Sequence, residues 1–173
     1  MRKRDFFLAY VLLVVLQMLI YNYFHISHYL LLTILPVMVL LIPIRFSTLT
    51  SLFIAFATGL VADMFSDGVI GLNAAALVPV ALVRESVIGL VFGQELFARD
   101  EDASILRQGV MKMTTAIVMV TALFLIIYIW ADSAGTRPFW FNATRLGLSL
   151  VISTAVSLLV AVIMAPKRDS RWH

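Results

Sequence analysis

The sequence predicts an all-α integral membrane protein: one transmembrane domain over residues 1–173, built as a six-helix bundle. Three observations predict it. Hydrophobic residues make up 62% of the 173 positions and charged ones 13%, with a mean hydropathy of +1.00. A soluble domain carries about 45–50% apolar and about 25% charged residues. Uncharged runs recur near the ~20 residues that a helix needs to cross hydrocarbon. The basic residues, finally, fall on one side of the bundle if those runs are threaded alternately.

The runs place spans at 6–24, 26–44, 46–65, 68–83, 113–131 and 146–165, with a cytoplasmic segment at 84–112. The first follows Met1-Arg2-Lys3-Arg4 and exceeds the ~7–15 apolar residues of a signal peptide, with no A-x-A-like cleavage site behind it, so it reads as a retained span. Span 2 carries Pro36 and Pro43. Proline removes a donor and clashes one turn back, so Pro36 is expected to kink the helix and free a carbonyl near Leu32. Pro79 is expected to act likewise in span 4. Span 3 repeats small residues at Ser51, Ala55 and Gly59, and span 6 at Ser149, Ser153, Ser157 and Ala161. Such stripes mark close helix packing, within the bundle or against a partner. Residues 86–97 are apolar but too short to span; they either extend span 4 or lie in the interface. The outer loop 132–145 holds Phe139, Trp140 and Phe141, with Trp130 at the end of span 5, as an interfacial aromatic belt would.

With the N-terminus inside, 13 basic residues divide so that only Arg137 and Arg145 lie outside. This predicts cytoplasmic termini and an even number of spans. Irregular backbone facing lipid is not tolerated, and no period-2 pattern supports a barrel.

One stretch stands apart. Residues 56–84 hold two apolar segments around the turn Ser66-Asp67-Gly68, with Asp63 ending the first segment. A carboxylate there loses hydration and calls for compensation. Gly59, Ala62, Gly71 and Ala74 allow the two helices to approach closely. A polar cluster of Asp63, Ser66, Asp67 and Asn73 is expected at the outer end, with Asp63 held by backbone donors or Asn73. Asp67-Gly68 reads as a turn.

Catalytic sets are not evident. There is no G-x-S-x-G, Walker loop or H-E-x-x-H. With no cysteine, disulfides and thiolate metal sites are excluded. His25 and His28 form an H-x-x-H without a nearby third ligand, so no metal or cofactor is expected. The formal charge of +3 does not suggest nucleic acid. Every ionisable residue falls at the end of a predicted span, which argues against a proton-coupled carrier.

The segment 59–74, GLVADMFSDGVIGLNA, resembles the signature of the rod shape-determining MreD family, in which G-x-x-x-D-x-x-S precedes a glycine-rich turn and the next span. Gly59, Asp63, Ser66 and Gly71 occupy those places. The resemblance covers the whole chain in layout and only this segment in motif. It implies a bacterial inner-membrane protein of the elongation machinery, without catalytic activity, acting with MreC, MreB, RodA and a class B penicillin-binding protein in lateral peptidoglycan synthesis. It also implies a fold like the substrate-binding subunits of energy-coupling-factor transporters. Gly59, Asp63, Ser66, Gly71 and Asn73 then become structural or partner-contact residues. The charged segment 84–112 departs from the pattern.

The alternative is such a transporter subunit itself, binding a vitamin-like ligand. The A-x-x-x-A expected on its first span is missing, since Ala9 is followed by Leu13. Trp130, Trp140, Asn142, Asp132 and Arg137 would supply its convergent polar and aromatic groups.

Overall fold

The computed structural model describes residues 3–23, 30–65, 69–93, 109–134 and 137–164, and they form six helices. These are α1 (Lys3–Tyr23), α2 (Leu35–Leu40), α3 (Thr48–Met64), α4 (Leu72–Phe92), α5 (Val110–Ser133) and α6 (Phe139–Met164). Three of them, α4, α5 and α6, are long and apolar enough to cross a membrane. At ~1.5 Å per residue even the shortest of the three approaches the ~30 Å of a hydrocarbon core. α1 and α3 contribute shorter apolar stretches, Phe7–Asn22 and Thr48–Met64.

α3 and α4 pack as an antiparallel hairpin, pinned at one end by Asp63 against Asn73 and at the other by Thr48 Oγ1, which donates to Glu85 Oε1 at 2.5 Å. α1 runs parallel to α3: Tyr10 Oη meets Thr58 Oγ1 at 3.0 Å, and Tyr21 Oη donates to Asn73 Oδ1 at 3.1 Å. α5 and α6 form a second hairpin, joined at the same end by Asp132 and Arg145. We call this the hairpin end.

The second predicted span departs from the sequence expectation. A helix over 26–44 is not what forms. Residues 30–34 are irregular, and only Leu35–Leu40 is helical. Pro36 does not kink a longer helix; it stands in the first turn of a short one, where its missing N–H is not needed. The carbonyl expected to be freed, that of Leu32, accepts from Gln17 Nε2 at 3.3 Å. Residues 35–40 are completely enclosed by the other helices. Irregular backbone is tolerated at membrane depth only where protein surrounds it. Pro79, by contrast, sits inside a continuous α4.

Two other boundaries move. α4 runs through Arg84 to Phe92, so the helix continues past the expected end of span 4 at residue 83, and the apolar stretch 86–97 begins as its extension. α6 begins at Phe139, so most of the expected outer loop 132–145 is helical.

The stripes Ser51/Ala55 and Ser149/Ser153/Ser157/Ala161 are buried within the bundle. The outer surface is apolar instead, with Phe7 and Leu12 of α1, Phe53 of α3, Leu90 of α4, Met111 of α5 and Ile163 of α6 all exposed.

Candidate functional site

Asp63 is the last polar residue of α3 and is 1% exposed. Both carboxylate oxygens point at the start of α4. Oδ1 accepts from the Asn73 backbone N–H and from Asn73 Nδ2, each at 2.9 Å. Oδ2 accepts from the Gly71 N–H at 2.9 Å and the Ala74 N–H at 3.3 Å. The first N–H groups of a helix have no partner within it, and a carboxylate favours that positive end. Asp63 therefore caps α4 from the preceding helix. No side chain of the cap residue itself does so, because that residue is Gly71, in the left-handed region at φ +93°.

Gly59, one turn before Asp63, makes the approach possible. A Cβ there would stand 2.3 Å from Ala74 Cα and 2.5 Å from its N. Backbone faces backbone, and nothing between the two can rotate away. Gly71 answers a different need. A Cβ there meets nothing within 4 Å, and the demand is purely conformational.

The cluster continues inward. Asn73 Oδ1 accepts from Tyr21 Oη, which lies near Thr33 of the irregular segment. There the backbone is satisfied by distant side chains. Gln17 Oε1 accepts from Ile34 N–H at 2.7 Å, Ser149 Oγ from Leu31 N–H at 2.9 Å, and Ser153 Oγ from Thr33 N–H at 3.2 Å. Ser153 Oγ also donates to the Leu31 carbonyl at 3.2 Å. At the far end of α2, Arg84 donates to the carbonyls of Leu40 and Ile42. A cation suits the unpaired carbonyls at a helix C-terminus.

Of the residues singled out from sequence, Gly59, Asp63, Gly71 and Asn73 converge here, whereas Ser66 and Asp67 lie outside the described residues, as do His25 and His28. Among the described residues, no group of three His, Cys, Asp or Glu side chains could hold a metal. Sequence reasoning missed Gln17, Tyr21, Thr33 and Arg84. Arg84 corrects the expectation that every ionisable residue lies at a span end: it is 1% exposed in the interior of α4. Its signal was available, since the apolar pattern resumes directly after Glu85.

A second polar group occupies the start of α6. Arg145 pairs with Asp132 at 2.6 Å, and Asn142 Nδ2 donates to Ser133 Oγ at 3.0 Å. Trp130 and Trp140 lie on the surface beside it, not around a cavity.

Both groups hold helices together: Asp63 joins α3 to α4, Tyr21 joins α1 to α4, and Asp132 with Arg145 joins α5 to α6. No family model, curated protein or solved structure matches this chain.

Proposed function

We propose that this protein is a non-catalytic, multi-pass scaffold of a bacterial cytoplasmic membrane, of the MreD type, which binds MreC and helps position lateral peptidoglycan synthesis alongside MreB, RodA and a class B penicillin-binding protein. The observation that carries the reading is the hairpin lock. The residues behind the motif, Gly59, Asp63 and Gly71, each perform a distinct task in holding α3 to α4. Their pattern is thus that of a fixed framework, with an apolar exterior suited to lipid and to partner helices. The small-residue stripes are used up inside the bundle, so a partner helix would dock on the exposed apolar face. In this reading the hairpin end faces outward and both termini are cytoplasmic.

The alternative, a vitamin-binding subunit of an energy-coupling-factor transporter, gains from two features: the buried Arg84 and the broken second crossing. Discontinuous helices often form transporter binding sites. Here, however, the freed backbone groups at Leu31, Leu32, Thr33 and Ile34 are taken by side chains of α1 and α6. That supports a structural role.

The test is an affinity pull-down of the tagged protein from native membranes in mild detergent, read by mass spectrometry. Co-recovery of MreC with RodA or a penicillin-binding protein is expected. Recovery of a transporter ATPase pair with its integral coupling subunit would overturn the scaffold reading.

A further inference from the structure

The two arginines on the hairpin end share one anion. Arg145 Nη1 lies 2.6 Å from Asp132 Oδ2, and Arg137 Nη1 lies 3.5 Å from the same oxygen. Two guanidinium charges thus meet one carboxylate charge. Among the described residues the other acid at this end, Asp63, faces four N–H donors at the start of α4. The pairing is unequal. Arg145 is buried and tightly bound, while the Arg137 side chain is 38% exposed and rests over the Phe141 ring, 5.3 Å from its centroid. The buried Arg145 Nε has no hydrogen-bond partner among the described residues. Basic residues are disfavoured on the side of a membrane opposite the cytoplasm. Asp132 accounts for Arg145 being there; it does not account for Arg137.

The surroundings fix the depth. Phe139 and Trp140 are 64% and 79% exposed, with Phe139 edge-on to both Trp130 and Trp140 at about 6 Å between centroids. Exposed aromatic rings of this kind sit at the level of lipid headgroups. The arginines therefore stand where lipid phosphates are.

We propose that the start of α6 is a binding site for the phosphate of an anionic phospholipid, held by Arg137 with Arg145 and flanked by Trp140. A net negative headgroup matches the surplus cation. A zwitterionic headgroup brings its own cation and does not. The proposal rests on membrane embedding but not on any protein partner.

The test uses the full chain carrying Trp172→Phe, which leaves Trp130 and Trp140 as the emitters, both at this end. It is reconstituted in equimolar phosphatidylglycerol and phosphatidylcholine, with bromine on the acyl chains of one lipid or the other. Quenching by both lipids establishes embedding; quenching by neither would contradict the embedding on which the site depends. Brominated phosphatidylglycerol should quench as if enriched about fivefold, on the order expected of one basic side chain at a charged leaflet. Arg137→Gln should bring the ratio to about one while helix content by circular dichroism stays unchanged. Equal quenching in the parent chain, or the same preference in Arg137→Gln, would overturn the site. Inorganic phosphate at millimolar concentration should leave the ratio unaltered; if it abolishes the preference, the site takes free phosphate and not lipid.

Discussion

Asp63 shows why a buried acid can be stabilising. Its oxygens accept from three backbone N–H groups and one side-chain amide, and these donors compensate the charge. Asp63→Leu would strand three backbone N–H groups and one amide, each orphaned group costing about 1–3 kcal/mol. Asp63→Asn keeps one oxygen and turns an NH2 towards two donors, so it should lose about half as much. Thermal unfolding in detergent checks the order, and equal, severe loss in both variants would point instead to a need for the charge itself. The two glycines of the lock are expected to separate in the same assay. Gly59→Ala forces α3 and α4 apart, because the obstructing atoms are backbone, and overpacking of this kind costs about 1–3 kcal/mol or more. Gly71→Ala only adopts a strained φ, at about 1 kcal/mol, and Gly71→Asn should be milder still. A larger loss at Gly71 than at Gly59 would mean that close approach is not what the motif protects.

At the scale of elements, the broken second crossing and the serine stripe of α6 explain each other. Ser149 and Ser153 serve the backbone of residues 31–33, whereas the buried Ser157 Oγ has no partner among the described residues. One stripe thus holds two kinds of serine. Interhelical hydrogen bonds in membrane proteins average only about 0.6 kcal/mol, because the unfolded helix finds other partners. An irregular segment has no intrahelical alternative. Ser153→Ala should therefore cost nearer the ~1–3 kcal/mol of orphaned backbone groups. Ser157→Ala should be neutral or slightly stabilising, since it removes a buried hydroxyl that bonds to nothing. Equal effects in the two variants would show that the stripe acts through size alone. Arg84 completes the element by holding the carbonyls at its far end, so α2 is fixed at both ends by side chains from other helices.

For the molecule as a whole, the order of contacts makes successive elements alternate in direction, so α1 begins and α6 ends at the same end of the bundle. The chain has no cysteine, so single introduced thiols report topology without background. A membrane-impermeant maleimide added to intact cells should label Arg137→Cys. It should label Arg2→Cys only after the membrane is opened. The reverse pattern would invert the assigned orientation, and labelling of both from outside would contradict the alternation itself.

Much of this was legible from residue order. The apolar composition and the uncharged runs anticipated the helical bundle, because burying apolar surface requires no knowledge of the neighbour. The lock was legible too: Gly59, Asp63, Gly71 and Asn73 lie within one short stretch, and a turn brings them together almost regardless of the rest. The second crossing was not. Its sequence reads as apolar helix, and what breaks it is a set of partners far along the chain, such as Ser149 and Ser153 for Leu31 and Thr33. For Arg84 the apolar run after Glu85 signals a longer helix, but not the burial of the side chain. A buried guanidinium looks like a loop residue until the carbonyls that accept its protons are known. Hydropathy is a property of each residue and is written locally; hydrogen-bond satisfaction is a property of pairs, and only the tertiary structure brings those pairs together.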